Sequence, residues 1–221
     1  MIAKNLLSHS IIPLRTSDTG AEALGIMSDF YVRHLPIVND KQLLGLISED
    51  DILEYDVEEA VGSYQLSMNR PYVKDTDHLY DVLKTLSEFQ LTVVPVVDAD
   101  DNYKGLISQD DLVRYFANTG SFTEPGSIVV LEMHKRDYSL AEISRIVESE
   151  SAAILSTFIT SSLDSERIDV TVKINKQDFQ IQRIIASFER FDYNIKASFQ
   201  EADYFDGLQE RYDSLMNYLN V

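Results

Sequence analysis

A glycine, two aliphatic residues, a serine and, three positions later, an aspartate can together hold a small molecule with a sugar or a phosphate. This chain carries that set twice, as Gly45-Leu46-Ile47-Ser48-Glu49-Asp50-Asp51 and Gly105-Leu106-Ile107-Ser108-Gln109-Asp110-Asp111. Glycine lets a backbone come close to a ligand. A serine opening a helix sits beside free amides and the positive end of the helix dipole, which draw phosphate. A carboxylate one turn on can accept hydrogen bonds from a ribose diol, as the acidic residue of dinucleotide folds does. The same Ser and Asp also make an ordinary helix cap, with first-turn acids where the dipole favours them.

No other constellation carries chemistry. Cysteine is absent, which removes disulfides, thiol nucleophiles and thiolate metal sites and fits a reducing compartment. His9, His34, His78 and His134 show no metal-ligand spacing. Gly-x-Ser-x-Gly and Walker-type loops are missing. The Glu49-Asp50-Asp51 and Gln109-Asp110-Asp111 runs point in different directions from a helix, so they read as solvated charges rather than a metal cage. The expectation is a protein that is not an enzyme, with no metal and no required cofactor. The formal charge of −18 argues against nucleic acid, whose binding rests on cationic contacts to phosphate. It also disfavours polyphosphates unless local Arg, His or a divalent cation offsets it. No apolar run is long enough for a bilayer and the N-terminus does not read as a signal peptide, so a cytoplasmic protein without membrane contact is expected.

The elements that must position the doubled motif recur with it. A helix opening at Asp18 or Thr19, with Ala21, Leu24, Met27 and Tyr31 on one face, leads to Leu35-Pro36-Ile37-Val38. Another, Leu79 to Phe89, leads to a strand Thr92 to Val97. Turns at Asn39-Asp40 and Asp98 to Asn102 return the chain into Leu43 to Ile47 and Tyr103 to Ile107, and Ser48 and Ser108 then open helices. Each repeat thus reads helix-strand-strand-helix, and the copies lie 59 to 60 residues apart. They occupy 1–60 and 61–122. Pro125-Gly126, after the polar run Asn118-Thr119-Gly120-Ser121, is the expected linker. A third unit, 127–200, reads β-α-β-β-α-β, the ferredoxin-like order, its first helix opened by a capping box over Ser139 to Glu142. A closing segment, 203–221, has helical spacing in Phe205, Leu208, Tyr212, Leu215 and Leu219. The fold class expected is α/β of the α+β kind.

Leu-Pro-hydrophobic-Val, a turn, then Gly-Leu-Ile-Ser-x-x-Asp opening a helix, twice in tandem, resembles a pair of CBS domains over about residues 1 to 120. The third unit resembles an ACT domain in its element order and its strand-to-helix start, Met133 to Ala141. The CBS resemblance implies a pseudo-symmetric pair whose clefts take an adenosyl ligand (AMP, ADP, ATP or S-adenosylmethionine). Ser48 and Ser108 would face phosphate or ribose, and Asp51 and Asp111 the ribose. Arg33 and His34 match family positions that meet the phosphate, where the second repeat has Thr92 and Val93, and Thr16 matches a polar position facing the ligand, where the second has Asp75. The ACT resemblance implies an amino-acid site with glycine after the first strand, but Tyr138 or Ser139 stands there. Two functions are expected from this: a regulatory sensor of an adenosyl ligand, acting by conformational or oligomeric change, or a nucleotide-blind homodimeric scaffold. In either case a homodimer through the CBS or ACT-like units is expected.

Overall fold

The computed structural model describes residues 1–64, 70–161, 166–176 and 179–200, with Leu215, Met216 and Tyr218 beyond them. The chain divides into two compact units, Met1–Ala117 and Asn118–Val221. In the first unit the repeats run α1 (Gly20–Phe30), β1 (His34–Asn39), β2 (Gln42–Ser48), α2 (Glu49–Leu53), then β3 (Val73–Lys74), α3 (Leu79–Glu88), β4 (Val93–Val97), β5 (Tyr103–Ser108) and α4 (Gln109–Ala117). Thr19 opens α1 with a capping box: the Glu22 N–H donates to Thr19 Oγ1 (3.2 Å) and the Thr19 N–H to Glu22 Oε2 (2.8 Å). The buried face of α1 is Gly20, Ala23 and Met27, rotated from the expected one; Tyr31 is 94% exposed in a left-handed C-cap. The small residues set the contact face because they let the helix lie close, a weight that a count of large apolar side chains misses.

Leu35 pairs with Ile47 across β1 and β2, and Val94 with Ile107 across β4 and β5. Each hairpin has one irregularity at the same place, opposite Gly45 in the first and Gly105 in the second. Gly105 has φ 149°, and a Cβ there would lie 3.2 Å from Leu7, so the bulge and the close approach both call for glycine. Strand β4 is buried throughout and β1 nearly so, hence their unbroken apolar runs.

Sequence periodicity missed one further strand pairing per repeat, an isolated bridge in the first and the two-residue β3 in the second. Leu14 bridges to Ile37 in parallel, its N–H donating to the Pro36 carbonyl (2.8 Å); Val73 on β3 stands in the same relation to Val96. The second repeat is therefore strand-helix-strand-strand-helix, with a single bridge in the matching place of the first, and such short pairings give no periodic signal. The lead-in segments cross over. The Ala3 and Lys4 N–H groups donate to the Asp77 and Asp75 carbonyls of the second repeat, at 2.8 and 3.0 Å. The Val61 and Gly62 N–H groups donate in the same way to the Asp18 and Thr16 carbonyls of the first, at 2.8 and 3.0 Å. This interlocking explains why one core joins Leu35, Leu46 and Ile47 to Val94, Leu106 and Ile107.

The second unit runs α5 (Gly120–Thr123), β6 (Ser127–His134), α6 (Leu140–Ser149), β7 (Ile154–Thr160), β8 (Arg167–Ile174), α7 (Phe179–Arg190) and β9 (Asn194–Phe199). Its sheet order, β7-β8-β6-β9, is all antiparallel. After α5, this is the ferredoxin-like β-α-β-β-α-β arrangement. Alternate residues Val129, Leu131, Val170 and Val172 turn to one face, where Ile143, Ile146, Ile181, Ile184 and Phe188 of the two helices cover them. Ser139 caps α6, accepting from the Glu142 N–H (3.3 Å), but the reciprocal half of the expected box is missing because the Glu142 carboxylate instead accepts from the Tyr193 hydroxyl (3.3 Å). The second unit begins at Asn118, ahead of the expected linker Pro125-Gly126, and includes α5, where the Phe122 carbonyl accepts from Lys173 Nζ (3.4 Å). A Cβ on Gly126 would sit 2.4 Å from the Ile174 carbonyl oxygen, so the chain can pass there only as glycine. The helix expected over 203–221 lies outside the described residues apart from Leu215, Met216 and Tyr218. No helix among the described residues is long and apolar enough to cross a membrane.

Candidate ligand site of the paired repeats

Both Ser-x-x-Asp sets form the same local structure at a strand-to-helix junction. The Ser48 hydroxyl donates to Asp51 Oδ2 (2.6 Å), the Ser48 N–H donates to the same oxygen (2.9 Å), and the Asp51 N–H donates back to Ser48 Oγ (3.0 Å). Ser108 and Asp111 repeat this at 2.6, 3.3 and 3.0 Å. The junctions are clamped from behind by a second matched pair: the Glu49 N–H donates to the Arg33 carbonyl (2.9 Å) and the Gln109 N–H to the Thr92 carbonyl (3.0 Å). Each serine and aspartate thus does the capping work. The cap uses Oδ2 of each carboxylate, so the other oxygen is not engaged by it.

The register sets His34 directly across from Ser48 on the neighbouring strand, as it sets Val93 across from Ser108. Arg33, His34, Ser48 and Asp51 are therefore neighbours. Arg33, just before β1, and His34, its first residue, both meet Thr92 of the other repeat. The Arg33 N–H donates to Thr92 Oγ1 (2.9 Å), and the Thr92 N–H donates to His34 Nδ1 (3.3 Å), which also lies 3.1 Å from Thr92 Oγ1. An acceptor role for Nδ1 fixes the neutral tautomer with the proton on Nε2. Burial holds the His34 pKa below its ordinary value, helped by the Arg33 charge and opposed by Asp51 and Asp50. The Arg33 guanidinium is committed to acids of its own repeat, Glu49 (3.2 Å) and Asp50 (3.0 Å). In the second repeat Gln109 Nε2 reaches the Leu91 carbonyl (2.8 Å) and Arg114 pairs with Asp110.

Thr16 is placed differently. Leu14 pairs in parallel with Ile37, so the chain leaves toward the Asn39 end of β1, whereas Ser48 faces His34 at the other end. The Thr16 carbonyl is taken by Gly62, and a Cβ on Gly62 would lie 2.6 Å from that oxygen. Within its own repeat Thr16 is not brought to the Ser48–Asp51 cap. Thr92 was read from sequence only as the absence of a basic residue, yet its hydroxyl and amide tie the two repeats together. A hydroxyl next to the apolar run of β4 is the only sequence signal that marks it.

In the second unit, Tyr138 and Ser139 have φ −70° and −140°, so neither takes the left-handed backbone for which glycine would be required. Among the described residues no His, Asp and Glu side chains converge in threes as metal ligands.

Comparison with known proteins falls on the first unit. The chain is 26% identical over 114 residues to a homoserine O-acetyltransferase of Methanobrevibacter ruminantium, covering 50% of this chain and 23% of that protein. It is 30% identical over 111 residues to the osmoprotectant import ATP-binding protein OsmV of Salmonella typhimurium, covering 48% and 28%. The chain thus spans well under half the length of these curated relatives. Among solved structures, a CBS domain pair/ACT domain protein from Thermotoga maritima is 22% identical with a TM-score of 0.47, covering 52% of this chain and 96% of that one. CBSX2 in complex with AMP is 23% identical with a TM-score of 0.44, covering 52% and 95%. A CBS domain pair in complex with 5′-methylthioadenosine and S-adenosyl-L-methionine is 24% identical with a TM-score of 0.43, covering 53% and 96%. The family model of the CBS domain matches residues 3–58 and again 61–118, just over half of the 221 residues, one match per structural repeat, and the chain belongs to the CBS domain family.

Proposed function

We propose that this chain is a non-enzymatic regulatory protein whose CBS pair binds an adenosyl ligand, such as AMP, ADP, ATP or S-adenosylmethionine, and signals by a change of conformation or assembly. The observation that carries the reading is the matched pair of Ser-x-x-Asp caps in a chain of this family. Each puts a carboxylate with one oxygen outside the cap beside the N-terminus of a helix. Asp51 and Asp111 would accept from the ribose hydroxyls, and Ser48 and Ser108 would hold the carboxylates in place. Arg33 would turn from Glu49 and Asp50 to a phosphate, a small rearrangement because exposed ion pairs are worth about 0–1 kcal/mol. His34, neutral, would offer Nε2–H as a donor rather than a charge. Thr16 would complete a cleft only across the pair.

The mechanism is population shift: a ligand that contacts both repeats favours the arrangement in which both contacts exist. The contacts of Thr92 with Arg33 and His34 lie where such a shift would be felt. In this reading the second unit is an ACT-like domain that receives the signal and takes part in assembly, with Tyr138 and Ser139 speaking against amino-acid binding. Calorimetry of the full chain with AMP, ADP, ATP and S-adenosylmethionine tests the reading. Binding of at least one, weakened tenfold or more by Asp51→Ala or Asp111→Ala, is the expected result. Silence with all four would leave the nucleotide-blind scaffold in its place, and binding indifferent to both substitutions would overturn the role given to Asp51 and Asp111.

A further inference from the structure

Among the described residues, α6 and α7 cover one face of the second unit's sheet, and only α5 reaches the other, at Lys173. On the other face the register lines up Phe158, Thr171, Val130 and Ala197 in one row across all four strands, and sets Phe199 beside Ile128 in the next. Phe158 is 70% and Phe199 58% exposed. Single exposed apolar residues are ordinary, but two phenylalanines flanking a sheet centre of Ile, Val, Ala and Thr form a contiguous patch. The outer strand on that side, Ile154-Leu155-Ser156-Thr157-Phe158-Ile159-Thr160, carries no charge. Edge strands that must stay unpartnered are normally protected by Lys, Pro or an inward charge.

Charge says what can approach. The chain carries −18, and two copies repel across most of their surfaces. This face does not add to that excess. Beyond the apolar rows, Glu132 is paired with Arg167 and Asp169 with Lys196 (2.6 Å), while Lys173 and His134 lie on the same side of the sheet. Its carboxylates are matched and it has no acid excess. A second copy can therefore meet this face without the repulsion it encounters elsewhere, and alternating charges beside an apolar centre are compatible with self-pairing about a two-fold axis.

We propose that the sheet face of the second unit opposite α6 and α7, centred on Phe158, Val130 and Phe199, is a homodimer interface against which the same face of a second copy packs. The proposal narrows the expectation of a homodimer to one surface and does not depend on nucleotide binding. The test is sedimentation velocity and light scattering of the full chain over a dilution series, with wild type and the double variant Phe158→Glu/Phe199→Glu. The expected result is that the double variant halves the assembly mass and raises the dissociation constant at least a hundredfold, with its circular dichroism and ligand calorimetry unchanged. A monomeric wild type, or an unchanged mass in the folded double variant, overturns it. Should the double variant lose its fold, the absence of cysteine allows a second measurement. Oxidation should cross-link Thr171→Cys into a covalent dimer and leave Gln182→Cys, on the helical side, uncross-linked. Failure of the first, or equal cross-linking of both, overturns the proposal as well.

Discussion

The two repeats share a backbone and disagree about side chains, and they disagree most where they touch. The lead-in hydrogen bonds, the parallel bridge, the hairpin irregularity and the Ser-x-x-Asp cap all recur position for position. At the seam, Arg33 and His34 face Thr92 and Val93. At the start of the first helix, Gly20 lies under Tyr64, whose hydroxyl donates to the Asp56 carbonyl (2.9 Å). The matching lead-in hydrogen bonds make Leu79 and Leu6 the equivalents of Gly20 and Tyr64. One repeat fills that space with nothing plus a large ring, the other with two leucines. The backbone is what folding constrains in common. The side chains at the seam have been free to diverge, which makes the two helix starts chemically different.

That exchange of bulk gives the largest expected effect. A Cβ on Gly20 would lie 2.4 Å from the Tyr64 hydroxyl, 2.9 Å from Ile52 and 3.0 Å from the Val57 Cα. Gly20→Leu should therefore cost about 3 kcal/mol, at the upper end for overpacking. Gly20→Leu/Tyr64→Leu imports the second repeat's pair and should recover about half of that, read as the coupling in a double-mutant cycle of urea midpoints. Additive costs would show that the two positions are not the exchange they look like.

Next in size are the caps. Ser108 is 4% exposed whereas Ser48 is half-buried, so the same deletion leaves a more deeply buried hydroxyl in the second repeat. Asp111→Ala should cost about 2 kcal/mol and Asp51→Ala about 1 kcal/mol in chemical denaturation, the difference coming from the unpaired hydroxyl. Equal losses would mean that burial does not separate the two junctions.

How much of this was legible follows from the same contrast. The doubled motif, the hairpins and the helix order were readable because they are carried by runs of apolar residues and by turn residues with fixed offsets. The bridge at Leu14 and the strand at Val73 were not, since one or two paired residues have no period. Nor was the contact face of α1, which is set by Gly20 and Ala23 rather than by the larger Leu24. At the site, sequence put Ser48 with Asp51 and Ser108 with Asp111, but it could not assign Arg33 to Glu49 and Asp50, nor join His34 to Thr92. The β1–β2 hairpin of its own repeat brings Arg33 to its acids, whereas His34 meets Thr92, 58 residues on, only where the two repeats pack.

His34 offers a pH-dependent way to sharpen the comparison. His34→Val imports the residue of the second repeat and removes the acceptor of the Thr92 N–H, an expected loss of about 1 kcal/mol at pH 8. Because burial lowers the folded pKa of His34, the unfolded chain takes up the proton first as pH falls. The histidine's contribution is thus full above about 6.5, its unfolded value, and is lost as pH drops from there toward the folded pKa. Wild type and His34→Val should therefore converge in urea midpoint between pH 7 and pH 5.5. A gap that stays constant or widens over that range would show that the Thr92 contact is not what the imidazole contributes.

The smallest effect on stability, and the sharpest on chemistry, belongs to Arg33→Thr, which copies Thr92 into the first repeat. The Arg33 side chain is 59% exposed and its partners Glu49 and Asp50 are exposed too, so the lost pairs should change the unfolding free energy by no more than about 0.5 kcal/mol. Even that should fade at high salt as the charges are screened. For ligand the substitution is not small. It removes the cation that pairs with the first-turn acids Glu49 and Asp50, and with it the charge that would meet a phosphate at that helix start. If the first repeat supplies the phosphate contact, calorimetry should show AMP weakened about tenfold, while S-adenosylmethionine, which bears no phosphate, binds as before. If both ligands are unaffected, the asymmetry between Arg33-His34 and Thr92-Val93 belongs to the seam between the repeats and not to recognition, and Arg33 serves only to neutralise the acids it touches.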